Sequence, residues 1–393
     1  MARDTRLLVG LAAAVAAGLL LAGSTSAASS SSTKPLVEHW DGSSWTEVAS
    51  PVSEWLDTVT AVSPEDVWTF GYSSSHAVAA GHWDGSSWQS VALPTPKGAQ
   101  AVDVAQAAAG SAADVWAVGS WEGAKQPLIR PLVEHWDGSS WSIAPIPRVK
   151  VYGALQGVVV VSATNVWAVG ASGVNTGKRI APRTLVLHWN GKKWTRVPSP
   201  NPATASTSAA EMSDSLVSVA AASSRNVWAV GSYFVRSAKH HTDHTLVLHW
   251  NGHRWLQVAS PSPGGPAHPS VLNGVTMAAA DDVWAVGRYS LKGRQLPLFE
   301  RWNGSGWHVV PSPPTTGSRE RRSLNAVAAL SPTDVWAVGT DNSGVNTHPL
   351  AEAWDGGAWN VVPVPPTSTD DSLAGVAVLS PTDVWAVGVR FQP

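Results

Sequence analysis

Two tryptophan-centred phrases alternate seven times along this chain, and the alternation leaves few folds open. The first phrase is D/N-V-W-A-V-G, with its tryptophan at Trp68, Trp116, Trp167, Trp228, Trp284, Trp336 and Trp385; the earliest copy reads DVWTFG. The second is W-D/N-G-x-x-W, with tryptophan pairs Trp40/Trp45, Trp83/Trp88, Trp136/Trp141, Trp189/Trp194, Trp250/Trp255, Trp302/Trp307 and Trp354/Trp359. Together they take 21 of the 23 tryptophans. Self-similarity at roughly 50 residues is the signature of a repeat architecture in which each unit buries its faces against its neighbours.

Each unit reads as four short strands. An apolar run such as LNAVAALS leads through the turn SPTD into VWAVG, a variable loop leads to PLVEHW, and a D-G or N-G turn leads to SSWTEV. Asp-Gly and Asn-Gly between extended runs are strong hairpin signals because both residues tolerate positive φ. Whether the turn has two residues or four, strand alternation puts Trp40 and Trp45 on one face and His39 on the other.

Four-stranded units of this length predict an all-β, seven-bladed β-propeller, with a solenoid as the competitor. The order of the ends favours the ring. The repeat region opens with the third and fourth strands of a unit and closes with the first and second, so residues 372–391 and 35–50 together make the closing blade and leave no strand edge open. The domain reading is a signal peptide over 1–27 and one propeller over 28–393.

HWDGSSW and DVWAVG resemble the tryptophan-rich propeller repeats of the tectonin and Asp-box (sialidase-like) groups found in secreted bacterial proteins. The resemblance covers the chain after the leader and implies the propeller fold. Those repeats serve lectins, glycosidases and scaffolds, so it implies no single activity. In this chain Asp and Gly adjoin, whereas the Asp-box separates them by one residue. WD-repeat and kelch patterns fit less well: WD precedes the hairpin turn, and no Gly-Gly doublet occupies the corresponding strand.

Composition narrows the function classes. Arg3 and Arg6 precede an apolar run ending in small residues, which predicts export and a secreted, extracellular location, with no membrane span. The absence of cysteine removes disulfides, thiolate ligands and the cross-linked cofactor of galactose-oxidase-type enzymes. A formal net charge of -2 gives no field for nucleic acid. No phosphate loop, nucleophile elbow or dinucleotide fingerprint occurs, and no cofactor is expected.

The seven internal copies separate scaffold from site. His39, His82, His135, His188 and His249 recur at one position, which Arg301 and Ala353 take in the last two copies, so they belong to the blade. Asp66, Asp114, Asp282, Asp334 and Asp383, with Asn165 and Asn226, are expected to bond the backbone of their own turns. Irregular spacing falls between the second and third strands and between blades, which emerge on the same rim, where loops on a rigid scaffold usually carry function.

On that rim the unrepeated aromatics Trp55, Trp121, Tyr152, Tyr233, Phe234 and Tyr289 are the candidate ligand contacts. The segment KHHTDH supplies His240, His241, Asp243 and His244, ligand types suited to zinc or copper, although a contiguous loop cluster seldom closes a tetrahedron. Unrepeated acids at the rim or at the entries to the inner strands are Glu54, Asp57, Asp103, Asp214, Asp370 and Asp371; Asp57, Asp103 and Asp214 are the first to test for hydrolysis or lyase chemistry. SRERR, residues 318–322, reads as a solvated loop. The leading expectation is an exported, non-catalytic monomer that binds carbohydrate or a cell-surface polymer through the rim. The alternatives are a glycan-active hydrolase or lyase at the channel mouth, and an extracellular protein-interaction scaffold.

Overall fold

The computed structural model describes residues 33–50, 52, 55–72, 78–123, 129–149, 152–175, 180–205, 213–236, 241–314, 320–365 and 370–391. Their strands form seven four-stranded antiparallel sheets, the blades of a propeller. Blades 1 to 6 follow chain order, and each runs from an inner first strand to an outer fourth strand. Blade 7 combines first and second strands from the end of the chain, Asp370–Ser380 and Asp383–Phe391, with third and fourth strands from its start, Thr33–Trp40 and Trp45–Glu47. The seam is continuous: Thr33 through Trp40 pair residue by residue with Phe391 back to Val384.

The hairpin phrase closes through a four-residue turn, so its tryptophans pair directly, as Trp40 with Trp45. Asp41 Oδ1 accepts the backbone N–H of Ser43 at 2.8 Å and of Ser44 at 2.9 Å, and Gly42 sits at φ +96°. A Cβ at Gly42 would also lie 2.5 Å from Thr382 in the turn between the first two strands of its blade. Both constraints leave only glycine there.

The paired tryptophans clasp the DVWAVG tryptophan of the preceding blade. Trp68 of blade 1 lies 5.1 and 5.5 Å from Trp136 and Trp141 of blade 2. The pattern runs round the ring to Trp336, held by Trp40 and Trp45, and Trp385, held by Trp83 and Trp88. In every triad the second hairpin tryptophan stands nearly perpendicular to the clasped ring, between 79° and 90°. The indole N–H of each of these seven second tryptophans is buried with no oxygen partner, and perpendicular rings are the arrangement in which such an edge meets a π face. The first hairpin tryptophan behaves differently: Trp40 Nε1 donates to Pro381 O at 3.2 Å, and Trp83 Nε1 to Pro64 O at 3.1 Å. Between blades the core is aliphatic, built from residues such as Leu155, Val166 and Leu187.

The histidine and aspartate of the two phrases meet, which revises the expectation for the aspartates. Rather than capping its own turn backbone, Asp66 Oδ1 takes His82 Nε2 at 2.9 Å and Trp68 Nε1 at 2.9 Å, so it ties the second strand to the third. Asp114 repeats this with His135 and Trp116, Asp383 takes His39, and Asn165 and Asn226 take His188 and His249. In blade 5 Arg301 supplies two bonds of 2.7 Å to Asp282. These residues are clamps of the blade, as their repetition implied.

Candidate functional site

Every inner strand carries a β-bulge at the same place. The register slips between Leu56 and Thr58, and likewise after Val104, Leu155, Leu216, Leu272, Leu324 and Leu373. The reason lies on the second strand: a Cβ at the glycine of WAVG would strike the inner backbone, 1.6 Å from Trp55 O at Gly71 and 1.9 Å from Asp103 O at Gly119. That close approach displaces one extra residue from the ladder, and a bulge re-aims its side chain. The extra residues are Asp57, Ala105, Gln156, Val217, Asn273, Asn325 and Ala374, and all seven line an axial cavity of about 210 Å³.

The cavity wall is polar and mostly self-satisfied. Asn273 Nδ2 donates to Leu324 O of the next inner strand at 2.7 Å, and Asn325 Nδ2 does the same to Leu373 O at 2.7 Å. Gln106 Oε1 accepts the Val158 N–H at 2.8 Å, and Ser218 Oγ accepts the Val275 N–H at 3.2 Å. These bonds lace the inner strands into a girdle.

Asp57 occupies the position of Asn273 and Asn325 but has no amide to donate. Its Oδ2 is buried without a hydrogen-bond partner. Burial lifts its carboxyl well above the ordinary carboxylate range, and the charge of Asp103, on the neighbouring inner strand, lifts it further. Burial pushes Asp103 up to about 6. A raised carboxyl destabilises the fold once the unfolded chain ionises, so the penalty is absent at pH 3 and present at neutral pH. Asp57→Asn should therefore stabilise the protein at pH 8 by about 1–2 kcal/mol and leave it unchanged at pH 3. Paired thermal melts check this, and an unaltered melting temperature at pH 8 would contradict it.

Sequence reasoning grouped Asp214 with these two acids, and the structure separates it. Asp214 is fully buried, bonded to Arg183 Nη1 at 2.9 Å and to the Ala203 N–H at 3.0 Å, so it anchors the 3-10 turn Pro202–Ala205 to blade 4. Asp371 is likewise buried against Arg390, and Asp370 accepts the Thr347 N–H. Glu54 lies outside the described residues.

The six aromatic candidates all fall at the rim end of their blades, each half-buried. Trp121, Tyr233 and Tyr289 share one position, the second residue after the WAVG glycine in blades 2, 4 and 5. Tyr233 packs 5.6 Å from His244 and against the core between blades 3 and 4. Tyr289 packs against the core between blades 4 and 5. Trp121 instead carries the guanidinium of Arg130, 5.0 Å above its ring centre. Trp55 donates from Nε1 to Thr33 Oγ1 at 2.9 Å and meets Phe391 edge-on, so it also fastens the seam between blades 1 and 7. The carbonyl of Tyr152 accepts the Gly173 N–H, and the N–H of Phe234 reaches Ser213 O.

From His241 onward the histidine-rich segment is strand rather than loop. His241–Trp250 is the third strand of blade 4, with Asp243 opposite Phe234 and His244 opposite Tyr233. Successive strand residues point to opposite faces, so Asp243 and His244 cannot converge on one ion. Asp243 shares its surroundings with Arg288, and burial raises its carboxyl. Among the described residues no group of three or more His, Asp or Glu side chains is placed to hold a metal; His240 lies outside them. Of SRERR, Glu320 is buried against Arg294, and Arg322 bonds Asp341 at 2.8 Å.

Sequence reasoning missed the bulge residues Gln156, Asn273 and Asn325, and it missed Arg130. The available signal was that the position after the inner-strand leucine changes chemistry from blade to blade while its neighbours do not.

No known protein family matches the chain, and no curated protein matches it in sequence. Solved structures do match its fold. YCF48 from Cyanidioschyzon merolae is similar with a TM-score of 0.53 at 17% identity, over 89% of this chain and 99% of that one. A YCF48 bound to D1 peptide gives 0.52 at 14% identity, over 91% and 97%. A polysaccharide lyase, a PL25 ulvan lyase bound to -[GlcA(1-4)Rha3S]-, gives 0.57 at 10% identity, over 83% and 89%.

Proposed function

We propose that this protein is an exported, non-catalytic binding propeller whose irregular rim recognises carbohydrate or another cell-surface polymer. The observation that carries the reading is the contrast between its two ends. At the hairpin end each blade repeats the same turn and tryptophan pair, whereas the opposite end carries the unrepeated aromatics Trp55, Trp121, Tyr152, Tyr233, Phe234 and Tyr289, each half-buried. Half-buried aromatics on rigid strand ends offer contact area at low entropic cost. Among solved propellers of similar outline, one is bound to a peptide and another to an acidic saccharide, which is compatible with either partner class.

A glycan array with the wild type and Trp121→Ala tests it. Binding should fall about tenfold in the variant, the effect of removing one aromatic anchor, with no change in melting temperature. An array on which the wild type binds nothing would remove the carbohydrate reading and leave a protein partner.

A second reading, a glycan lyase or hydrolase at the channel mouth, is favoured by Asp57, which lines the cavity with Asp103 near it, since a carboxyl raised by burial beside a cavity is the form acid–base chemistry uses. New reducing ends or unsaturated products from a panel of polysaccharides, lost in Asp57→Asn and Asp103→Asn, would replace the first reading by this one.

A further inference from the structure

Trp121 and Arg130 face each other across the second and third strands of blade 2. Arg130 lies six residues before Trp136 on the same strand, hence on the same face, and Trp136 packs against Trp68 of blade 1. The pair therefore stands at the rim end of the groove between blades 1 and 2. Arg130 combines a ring contact with the lack of a carboxylate partner among the described residues, whereas Arg301 has both a ring and a carboxylate. Arg183, Arg294, Arg301, Arg322 and Arg390 are all spent on carboxylates. Arg130 is exposed, and among the described residues no carboxylate comes within ion-pair range of it. Its guanidinium is held instead by the Trp121 ring at 5.0 Å. With no carboxylate taken up, its planar N–H fork matches the two oxygens of a carboxylate or sulfate. The half-buried Trp121 ring beside it leaves part of its apolar surface exposed next to that fork.

We propose that Trp121 and Arg130 form a subsite for one acidic sugar residue, Trp121 packing on the pyranose and Arg130 taking its carboxylate or sulfate oxygens; this rests on the carbohydrate-binding reading above. One exposed cation per subsite suits a regularly substituted acidic polysaccharide. The net charge of -2 disfavours denser polyanions such as nucleic acid.

The test is affinity electrophoresis and calorimetry of the full chain with polygalacturonate, dextran sulfate and neutral dextran. Wild type should bind polygalacturonate or dextran sulfate, and which of the two names the oxyanion, with affinity falling as salt rises. Arg130→Gln should lose about tenfold on that polymer, together with most of the salt dependence, and Trp121→Ala should lose a similar factor. Arg130→Lys should recover only part, because an ammonium lacks the planar fork. Equal binding of dextran, or full affinity in Arg130→Gln, overturns the acidic subsite and leaves the rim-binding reading standing. If wild type binds none of the three yet binds neutral glycans on the array, only this inference fails. If it binds no glycan, both fail.

Discussion

Removing residues 28–51 from a chain that starts at residue 28 should abolish cooperative unfolding. The segment supplies the third and fourth strands of blade 7, and its third strand pairs with Asp383–Phe391 over eight consecutive positions. Without it that strand becomes an open edge at the point where the ring must close. Leu36, Val37 and Trp45 leave the core, each at most 3% exposed, and Trp336 loses both clasping rings while Thr33 no longer holds Trp55. Each large buried side chain contributes about 2–5 kcal/mol, so their joint loss is on the scale of the whole net stability of a domain, about 5–15 kcal/mol. The alternative, an open solenoid, predicts only the loss of a terminal repeat and a shallower melt. Calorimetry of the chain starting at residue 28 against one starting at residue 52 decides between them. A sharp transition at the parent temperature in the shorter chain would mean that the ring does not depend on its seam.

That closure was legible in the sequence because it depends on order alone: half a unit at each end implies a blade shared between them. The hairpin tryptophans and the blade histidines were legible for a related reason, since seven internal copies distinguish what a blade needs from what a site needs. Partners were less accessible. The aspartate of DVWAVG was expected to serve its own turn, as Asx residues often do, but the blade brings a histidine from the third strand within 2.9 Å, 16 residues away in blade 1 and 344 away across the seam. The acids show the same limit. Asp57 and Asp103 come within electrostatic reach because they lie on neighbouring inner strands, whereas Asp214 stands two residues before its blade's leucine, Leu216, and turns to Arg183. Nothing local in the sequence marks that difference. The bulge that aims Asp57 into the channel is created by a glycine on another strand.

The clamps and tryptophan triads fix the blades so firmly that single positions on the rim and in the bulge ring vary without disturbing the fold. Trp121, Tyr233 and Tyr289 illustrate this, three different neighbourhoods on one equivalent backbone site. Arg130 could be read as a site residue only after its register opposite Trp121 was known.

Stability should fall as pH rises from about 4.5 to about 8, because four blades bury a glutamate where the others carry Gly81, Leu187 or Leu248. Glu38, Glu134, Glu300 and Glu352 each precede the hairpin histidine or its replacement, stand opposite the alanine of WAVG, and are at most 1% exposed. Both carboxyl oxygens of Glu134 lack a hydrogen-bond partner. Burial pushes Glu134 and Glu300 up to about 8 and Glu38 and Glu352 up to about 7, from an ordinary value of 4.5. Around Glu38 the charges of Glu47 and Asp371 raise it and Arg390 lowers it; around Glu352, Asp341 and Glu320 raise it against Arg322. Well below pH 4.5 these groups are protonated in both states and carry no ionisation penalty. Above it the unfolded chain ionises while the folded chain holds its protons, so the unfolded state falls in free energy relative to the folded one until the folded groups ionise near pH 7 to 8. Glu134 is the cleanest test, since burial alone shifts it. Glu134→Leu, the residue blades 3 and 4 already use, should stabilise the protein by a few kcal/mol at pH 8, on the order of one to two residues' worth of core packing, and by much less at pH 4.5. The turn aspartates Asp41, Asp137 and Asp355, held low by hydrogen bonds from their own turns, act in the opposite sense at still lower pH. The wild-type optimum should therefore sit on the acid side of neutrality. Denaturant unfolding of wild type and Glu134→Leu from pH 4 to pH 8.5 measures both slopes, and parallel curves would show that Glu134 finds a proton or a partner in the unfolded chain as readily as in the blade.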